Sequence, residues 1–197
     1  MANTDTPNGF TPVGTMNGSS WEGTVRAFQA DNTSDIFPGD LLELGDDGKV
    51  VAATATGTNC IGVMVGHVKQ QYANTTTGVW DNQLTSGSIA LERTYYDASA
   101  DTTGWILVTV GPDVLYEVQC TGTIAVTEIG TNADLIATTG STTKGRSQQE
   151  LSATVSSDAA QLRIVGLAQR IDNDVTTDNA KWVVRINENH YTKTVGV

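Results

Sequence analysis

Positive charge, cysteine, proline and long apolar runs are all scarce in this chain, and each scarcity removes a class of function. Eleven Lys and Arg stand against twenty-two Asp and Glu in 197 residues, a formal charge of -11. The basic residues are scattered singly, so no positive stripe is available to displace counterions from a phosphate backbone. An anionic membrane surface is disfavoured for the same reason. No apolar run approaches the roughly 18 residues that a membrane-spanning helix needs, and the opening MANTDTPNGF has neither the basic nor the apolar segment of a secretory signal. The expectation is synthesis in a cytoplasm, with no membrane and no nucleic acid among the partners.

Two cysteines, Cys60 and Cys120, each lie in an apolar stretch. They read as buried thiols acting as small hydrophobes, with a disulfide between them as the alternative. Metal-ligand spacing is missing too: His67 and His190 are far apart, and neither accompanies a cysteine pair or an HExxH pattern. No cofactor is expected.

What is present is strand and turn chemistry. Hydrophobic residues make up 39% of the chain, enough to build a core. They occur in short packets: residues 39–44 and 50–54 flank Gly45-Asp-Asp-Gly48, a hairpin signal because Asp and Gly tolerate positive φ. Residues 60–71, 88–94, 105–110, 113–120, 162–170 and 181–187 supply further strands. Alternation predicts that Ile61, Val63, Val65 and His67 share one face, and Trp105 and Trp182, opening apolar strands, read as core. Residues 121–137 are compatible with a helical turn or a short strand. No apolar helical period persists for three turns, and no internal repeat is evident in the sequence. The chain therefore reads as all-β, a compact β-barrel or β-sandwich with an extended N-terminal arm and long polar loops. The expected division is an arm over 1–20, a β-rich domain over 21–191 with a possible projecting segment at 72–104, and a tail over 192–197.

Catalytic patterns fail on inspection. Gly140-Ser-Thr-Thr-Lys-Gly-Arg146-Ser147 approaches the phosphate-loop pattern, but arginine replaces the lysine, and the stretch SQQELSATVSSD from Ser147 onward makes a poor amphipathic helix. A polar surface turn is the better reading. The acidic pairs Asp46-Asp47 and Asp172/Asp174 lie in turn-forming sequence, and the stretch from Asp31 to Asp35 lacks the glycine and terminal glutamate of a calcium loop. No G-x-S-x-G turn presents a nucleophile. The expectation is a protein that is not an enzyme.

Candidate contact residues are the apolar ones stranded in polar sequence: Phe10 and Val13 in the arm, and Trp21 and Trp80 in Gly-rich surroundings. Large aromatics dominate interface energetics when two chains bury them, but for Trp21 and Trp80 burial under the protein's own loops is the default reading and a partner interface the alternative.

The strings NGFTPVGTMNGSSWEGTVRAF, PGDLLEL, DDGKVVAAT, IGVMVGH, PDVLYEVQ, NADLIATTGSTTKGRSQQEL and LRIVGLAQRIDNDVTTDNAKWVVRINENHY span Asn8 to Tyr191. Together they resemble a group of marine and freshwater tailed-phage head decoration (cement) proteins, commonly encoded near the major capsid protein. The resemblance implies a virion protein on the capsid exterior, with the major capsid protein as partner and a homotrimer at three-fold or quasi-three-fold positions. It supplies no catalytic residue. The alternative reading is a receptor- or glycan-binding module of the virion, with Trp80, Tyr95 and Tyr96 stacking on sugars.

Overall fold

A computed structural model of the chain describes residues 2–69, 93–100 and 104–192, with the side chain of Lys69 excepted. Among these residues the fold is all-β, as the alternation implies, and its helical pieces are short 3-10 turns. The strands are β1 (Thr11–Thr15), β2 (Val25–Gln29), β3 (Leu41–Leu44), β4 (Val50–Ala52), β5 (Cys60–Lys69), β6 (Gly104–Thr109), β7 (Val114–Gln119), β8 (Asn132–Ile136), β9 (Glu150–Ser156), β10 (Leu162–Leu167) and β11 (Lys181–Ile186). They form two antiparallel sheets: five strands in the order β2-β6-β5-β3-β4 and six in the order β1-β7-β11-β10-β8-β9. Gly45 to Lys49 turns β3 into β4 as its chemistry predicts, with Gly48 at φ +77°. Residues 121–137 hold both of the forms left open, a 3-10 turn at Val126–Glu128 and then β8.

Each sheet curls until five of its strands close on themselves, β2 to β4 in the first and β7 to β9 in the second, with β1 left outside. Ala30, just after β2, makes a parallel bridge to Val50 at the start of β4, and Asp31 N donates to Val50 O at 2.9 Å. In the other sheet, Cys120 bridges Leu151 in the same parallel sense, and Thr121 N donates to Leu151 O at 3.0 Å. Closure leaves each set of five strands a private interior. In the first it is filled by Leu42, Val50, Ile61, Met64, Ile106 and Val108, capped by Ile36 and Tyr96. In the second, Tyr116, Val118, Leu135, Leu151, Ile164, Trp182 and Val184 fill the equivalent space.

The two halves repeat one topology, which the sequence does not reveal. In both, the first strand lies beside the fifth, the fifth beside the fourth, the fourth beside the second and the second beside the third. The registers agree where the fifth strand meets its two neighbours: Arg26 faces Val108 and Ala27 faces Leu107, as Tyr116 faces Val184 and Glu117 faces Val183. One irregularity recurs there, with Val65 bulging between Met64 and Gly66, and Val165 between Ile164 and Gly166. The halves diverge elsewhere, the shift at Leu42/Glu43 belonging to the first and that at Ala133/Leu135 to the second.

The halves differ where they meet water or each other. Across the five-stranded sheet, Leu41, Val63 and Thr109 are cross-strand neighbours on the outer face. All three are buried, and Leu41 and Val63 join the core cluster of the other sheet. The matched positions in the six-stranded sheet are Asn132, Arg163 and Arg185, and there Arg163 Nε donates to Asn132 Oδ1 at 3.0 Å. One face is buried because the other sheet covers it; on its counterpart Arg163 and Arg185 are only partly buried. The seam is further pinned by Thr109 Oγ1 and Tyr116 Oη, 2.9 Å apart in the interior.

Bulges also correct the expected faces. Cys60 and Val63 point to the shared core between the sheets, whereas Ile61 and Met64 fill the closed interior. The irregularity between Leu42 and Glu43 opposite Gly62 and Cys60 inverts the alternation. Trp182 is buried as expected, but Trp105 is only half-buried, because Ile106 and Val108 take the inward parity of β6.

Candidate interaction surface

The expected arm is part of the fold, which corrects the division at residue 20. Asn3 Nδ2 donates to the carbonyls of Asp174 and Asp178 at 2.8 and 2.9 Å, so the chain is anchored near its start. Phe10 is 1% exposed, its ring edge-on to Tyr116 at 6.4 Å. It is therefore a core residue of its own chain and is not available to a partner. Its anchorage needs an unusually close crossing: Gly9, at φ +67°, passes Gly39 and Ser147 so tightly that a Cβ would lie 2.4 Å from Gly39 O. Phe10 N donates to that same carbonyl at 2.8 Å.

Beyond Phe10 the chain becomes the outer strand of the six-stranded sheet. Pro12 has no N–H to offer, and the register with β7 slips between Pro12 and Gly14. Proline and a bulge both blunt a strand edge against pairing with another strand. The slip leaves Val13 half-exposed at 50%, and Met16, past the end of β1, is 55% exposed. The next turn is self-held: Thr15 Oγ1 donates to Asn17 Oδ1 at 2.7 Å, and Ser19 N donates to the same oxygen at 2.9 Å. Ser20 caps the 3-10 turn Trp21–Thr24, accepting from Glu22 N at 3.3 Å. Trp21 is half-buried, packed against the core. Val13, Trp21 and Leu115, with the Gly14 and Gly18 backbone, line a shallow concavity of about 450 Å³. The structure thus brings together two of the four expected contact residues and removes Phe10; Trp80 lies outside the described residues.

Of the aromatics in the alternative reading, Tyr96 is fully buried, bridging Ile36 through paired backbone hydrogen bonds of 3.0 and 2.8 Å. Tyr95 stacks on Phe37 at 4.7 Å. Tyr96 therefore offers no face to a sugar, and one face of Tyr95 is taken by Phe37. Within residues 93–100, Tyr96 is bridged to Ile36 in the core, and Gly104 belongs to β6; of the expected projecting segment, 72–92 and 101–103 lie outside the described residues.

The other candidates fall into structural roles. Residues 140–147 form a closed turn with Ser141 bridged to Arg146, and the strand β9 comes next, where a phosphate loop would need a helix. Cys60 and Cys120 are buried and not joined in a disulfide, and burial raises the Cys120 pKa. Among the described residues no three His, Cys, Asp or Glu side chains converge as a metal site. Asp47 pairs with Lys49 at 2.8 Å, and Asp174 holds its own turn through Thr176 at 2.6 Å.

One carboxyl escaped sequence reading altogether. Asp40, 2% exposed, sits at the node where Gly9, Gly39 and Ser147 meet. Its Oδ2 accepts from Phe37 N at 2.7 Å, while Oδ1 has no hydrogen-bond partner. Burial pushes its pKa up to about 6, against the smaller pull of the Ser147 side chain and the Phe37 amide. Asp in the turn before a strand is ordinary in sequence, and only the three-way crossing buries it.

No family model, curated protein or solved structure matches the chain.

Proposed function

We propose that this chain is a structural virion protein: a decoration protein that binds the outside of a tailed-phage head and stabilises the shell without catalysing a reaction. The observation that carries this reading is the concavity shared by Val13 and Trp21, with exposed Met16 just past the end of β1, beside a strand edge that Pro12 and a bulge close to strand addition. Such an edge contacts a partner through side chains, as a clamp on a preformed shell requires, and does not template open-ended pairing. The resemblance over Asn8 to Tyr191 points to the same class and names the major capsid protein as the partner. The acidic balance keeps the exterior of a shell soluble and off DNA.

The mechanism is one of linkage. A protein that binds the assembled lattice, and not free subunits, stabilises the assembly in proportion to the logarithm of its free concentration over its Kd. A homotrimer at three-fold or quasi-three-fold positions fits this mechanism, because lattice symmetry multiplies each weak contact.

The test is sedimentation of purified chain with intact heads of the phage that encodes it. Wild type should co-sediment at a fixed ratio to the major capsid protein. Val13→Asp/Met16→Asp, with an unchanged unfolding midpoint, should lose about tenfold or more in affinity, since each exposed apolar side chain buried at an interface contributes on the order of 1 kcal/mol. Failure of wild type to bind heads removes the proposal; equal binding by the variant removes the assigned surface.

A further inference from the structure

Charge in this chain is uneven in one place. Acidic residues outnumber basic ones by 22 to 11, yet Arg93, Lys144, Arg146 and His67 line a single concavity of about 670 Å³ that has no carboxylate among its described lining residues. The remaining wall is largely apolar, supplied by Pro38, Val65 and Val68. The hollow lies where the end of β5 faces the turn before β9, so both halves of the molecule build it.

Its cationic rim is held in place. In the 141–146 turn, Ser141 N donates to Arg146 O at 2.9 Å, Gly145 N donates to Ser141 O at 2.7 Å, and Lys144 N donates to Ser141 Oγ at 3.2 Å. Thr94 Oγ1 donates to Gly145 O at 2.7 Å and docks the turn against the five-stranded half. That approach depends on Gly145, at φ +63°, where a Cβ would fall 2.2 Å from the Thr94 hydroxyl. Across the hollow Arg93 is ion-paired with Asp97 and lies 6.0 Å from the Tyr95 ring centroid.

Two of the rim cations, Lys144 and Arg146, are also unneutralised by any described residue. Lys49 and Arg170 each have a carboxylate at 2.8 and 2.7 Å. Lys144 and Arg146 are exposed and have no ion pair among the described residues. Like charges gathered around a low-dielectric hollow repel one another and focus a positive potential into it. An anion placed there relieves that repulsion and accepts charge-assisted hydrogen bonds from Lys and Arg.

We infer that this concavity binds a phosphate or sulfate oxyanion carried by a small ligand, with the ligand's carbon skeleton against Pro38, Val65 and Val68. The anion is held by side chains from two loops. The amide cradle of a phosphate loop is not involved, which is why the motif fails while its Lys and Arg still matter. The inference is independent of the capsid-binding surface, since β1 and Trp21 take no part in this hollow.

Isothermal titration at low salt with inorganic phosphate, inorganic sulfate, glucose 6-phosphate and glucose 6-sulfate tests it. At least one inorganic anion should bind, and Lys144→Ala/Arg146→Ala, both sites being exposed, should weaken binding about tenfold or more while circular dichroism and the unfolding midpoint stay unchanged. Lys49→Ala, which removes one charge elsewhere, should bind as wild type does. Tighter binding of either sugar ester supports a small-molecule ligand; affinity equal to the free anion's removes the role of the apolar wall. No binding of any of the four by wild type overturns the inference. So does undiminished binding by the double variant, or an equal loss in Lys49→Ala.

Discussion

Replacing Asp40 by Asn should stabilise the protein at neutral pH and leave it nearly unchanged in acid. Asp40 is buried at the seam with one oxygen unpartnered, and its pKa stands at about 6 against an ordinary 3.8. At about 1.36 kcal/mol per pKa unit, a difference of about 2.2 amounts to about 3 kcal/mol. The sign is set by the direction. A carboxyl raised in the folded state binds its proton more tightly there, so its contribution is fully present below pH 3.8 and is lost as pH rises through about 6. An Asn keeps an oxygen for the Phe37 amide and never ionises. The difference in unfolding free energy, Asp40→Asn minus wild type, should therefore be near zero at pH 4 and climb to about 3 kcal/mol by pH 7, or about 6 to 12 °C in midpoint for a chain of this size. Urea unfolding of both proteins at intervals across that range measures it. Asp97 and Asp174, whose pKa values are lowered chiefly by the Ser99 and Thr176 hydroxyls, act in the opposite sense but are common to both proteins and cancel. A pH-independent difference, or an Asn variant less stable at pH 7, would refute the reasoning.

Two further substitutions test the seam. Gly9→Ala should cost at least about 2 kcal/mol, because positive φ is added to a backbone clash with Gly39. Gly48→Ala, at φ +77° with nothing within 4 Å of its Cβ, should cost only about 1 kcal/mol, and equal losses in the two would show that crowding at Gly9 is irrelevant. Tyr116→Phe should cost about 1 to 2 kcal/mol by denaturant unfolding, since it leaves the buried Thr109 hydroxyl without the Tyr116 Oη at 2.9 Å, and a neutral result would mean that this bond does not help hold the sheets together.

Much of the secondary structure was legible because period-two alternation and turn residues are local. The strands from 39 to 54, 105 to 120 and 181 to 187 appear close to where their patterns place them. β9 was not legible, since ELSATVS carries few apolar residues and its burial comes from Leu151 meeting Cys120 across the closure. Nor was β1, because Gly, Pro and Thr around Val13 have the composition of a loose arm. Its order comes from pairing with β7, about a hundred residues on. Of the candidate contact residues, Val13 is half-exposed, Trp21 is partly buried and Phe10 is fully buried in the core. Polar neighbours in sequence say nothing about what a residue meets in space.

By itself the sequence determined a β-class, acidic chain with a marked hairpin at Gly45 to Lys49, because these depend on composition and on residues adjacent along the backbone. Tertiary structure alone decided that the chain repeats one five-stranded topology, that bulges at Ile61 and Val65 reassign which side chains face which core, and that Lys144 and Arg146 share a hollow with Arg93. Each of these rests on contacts between residues distant in the chain. Such contacts constrain register and which side faces inward, not residue identity, so Leu41, Val63 and Thr109 correspond in position to Asn132, Arg163 and Arg185 with no repetition evident in the sequence.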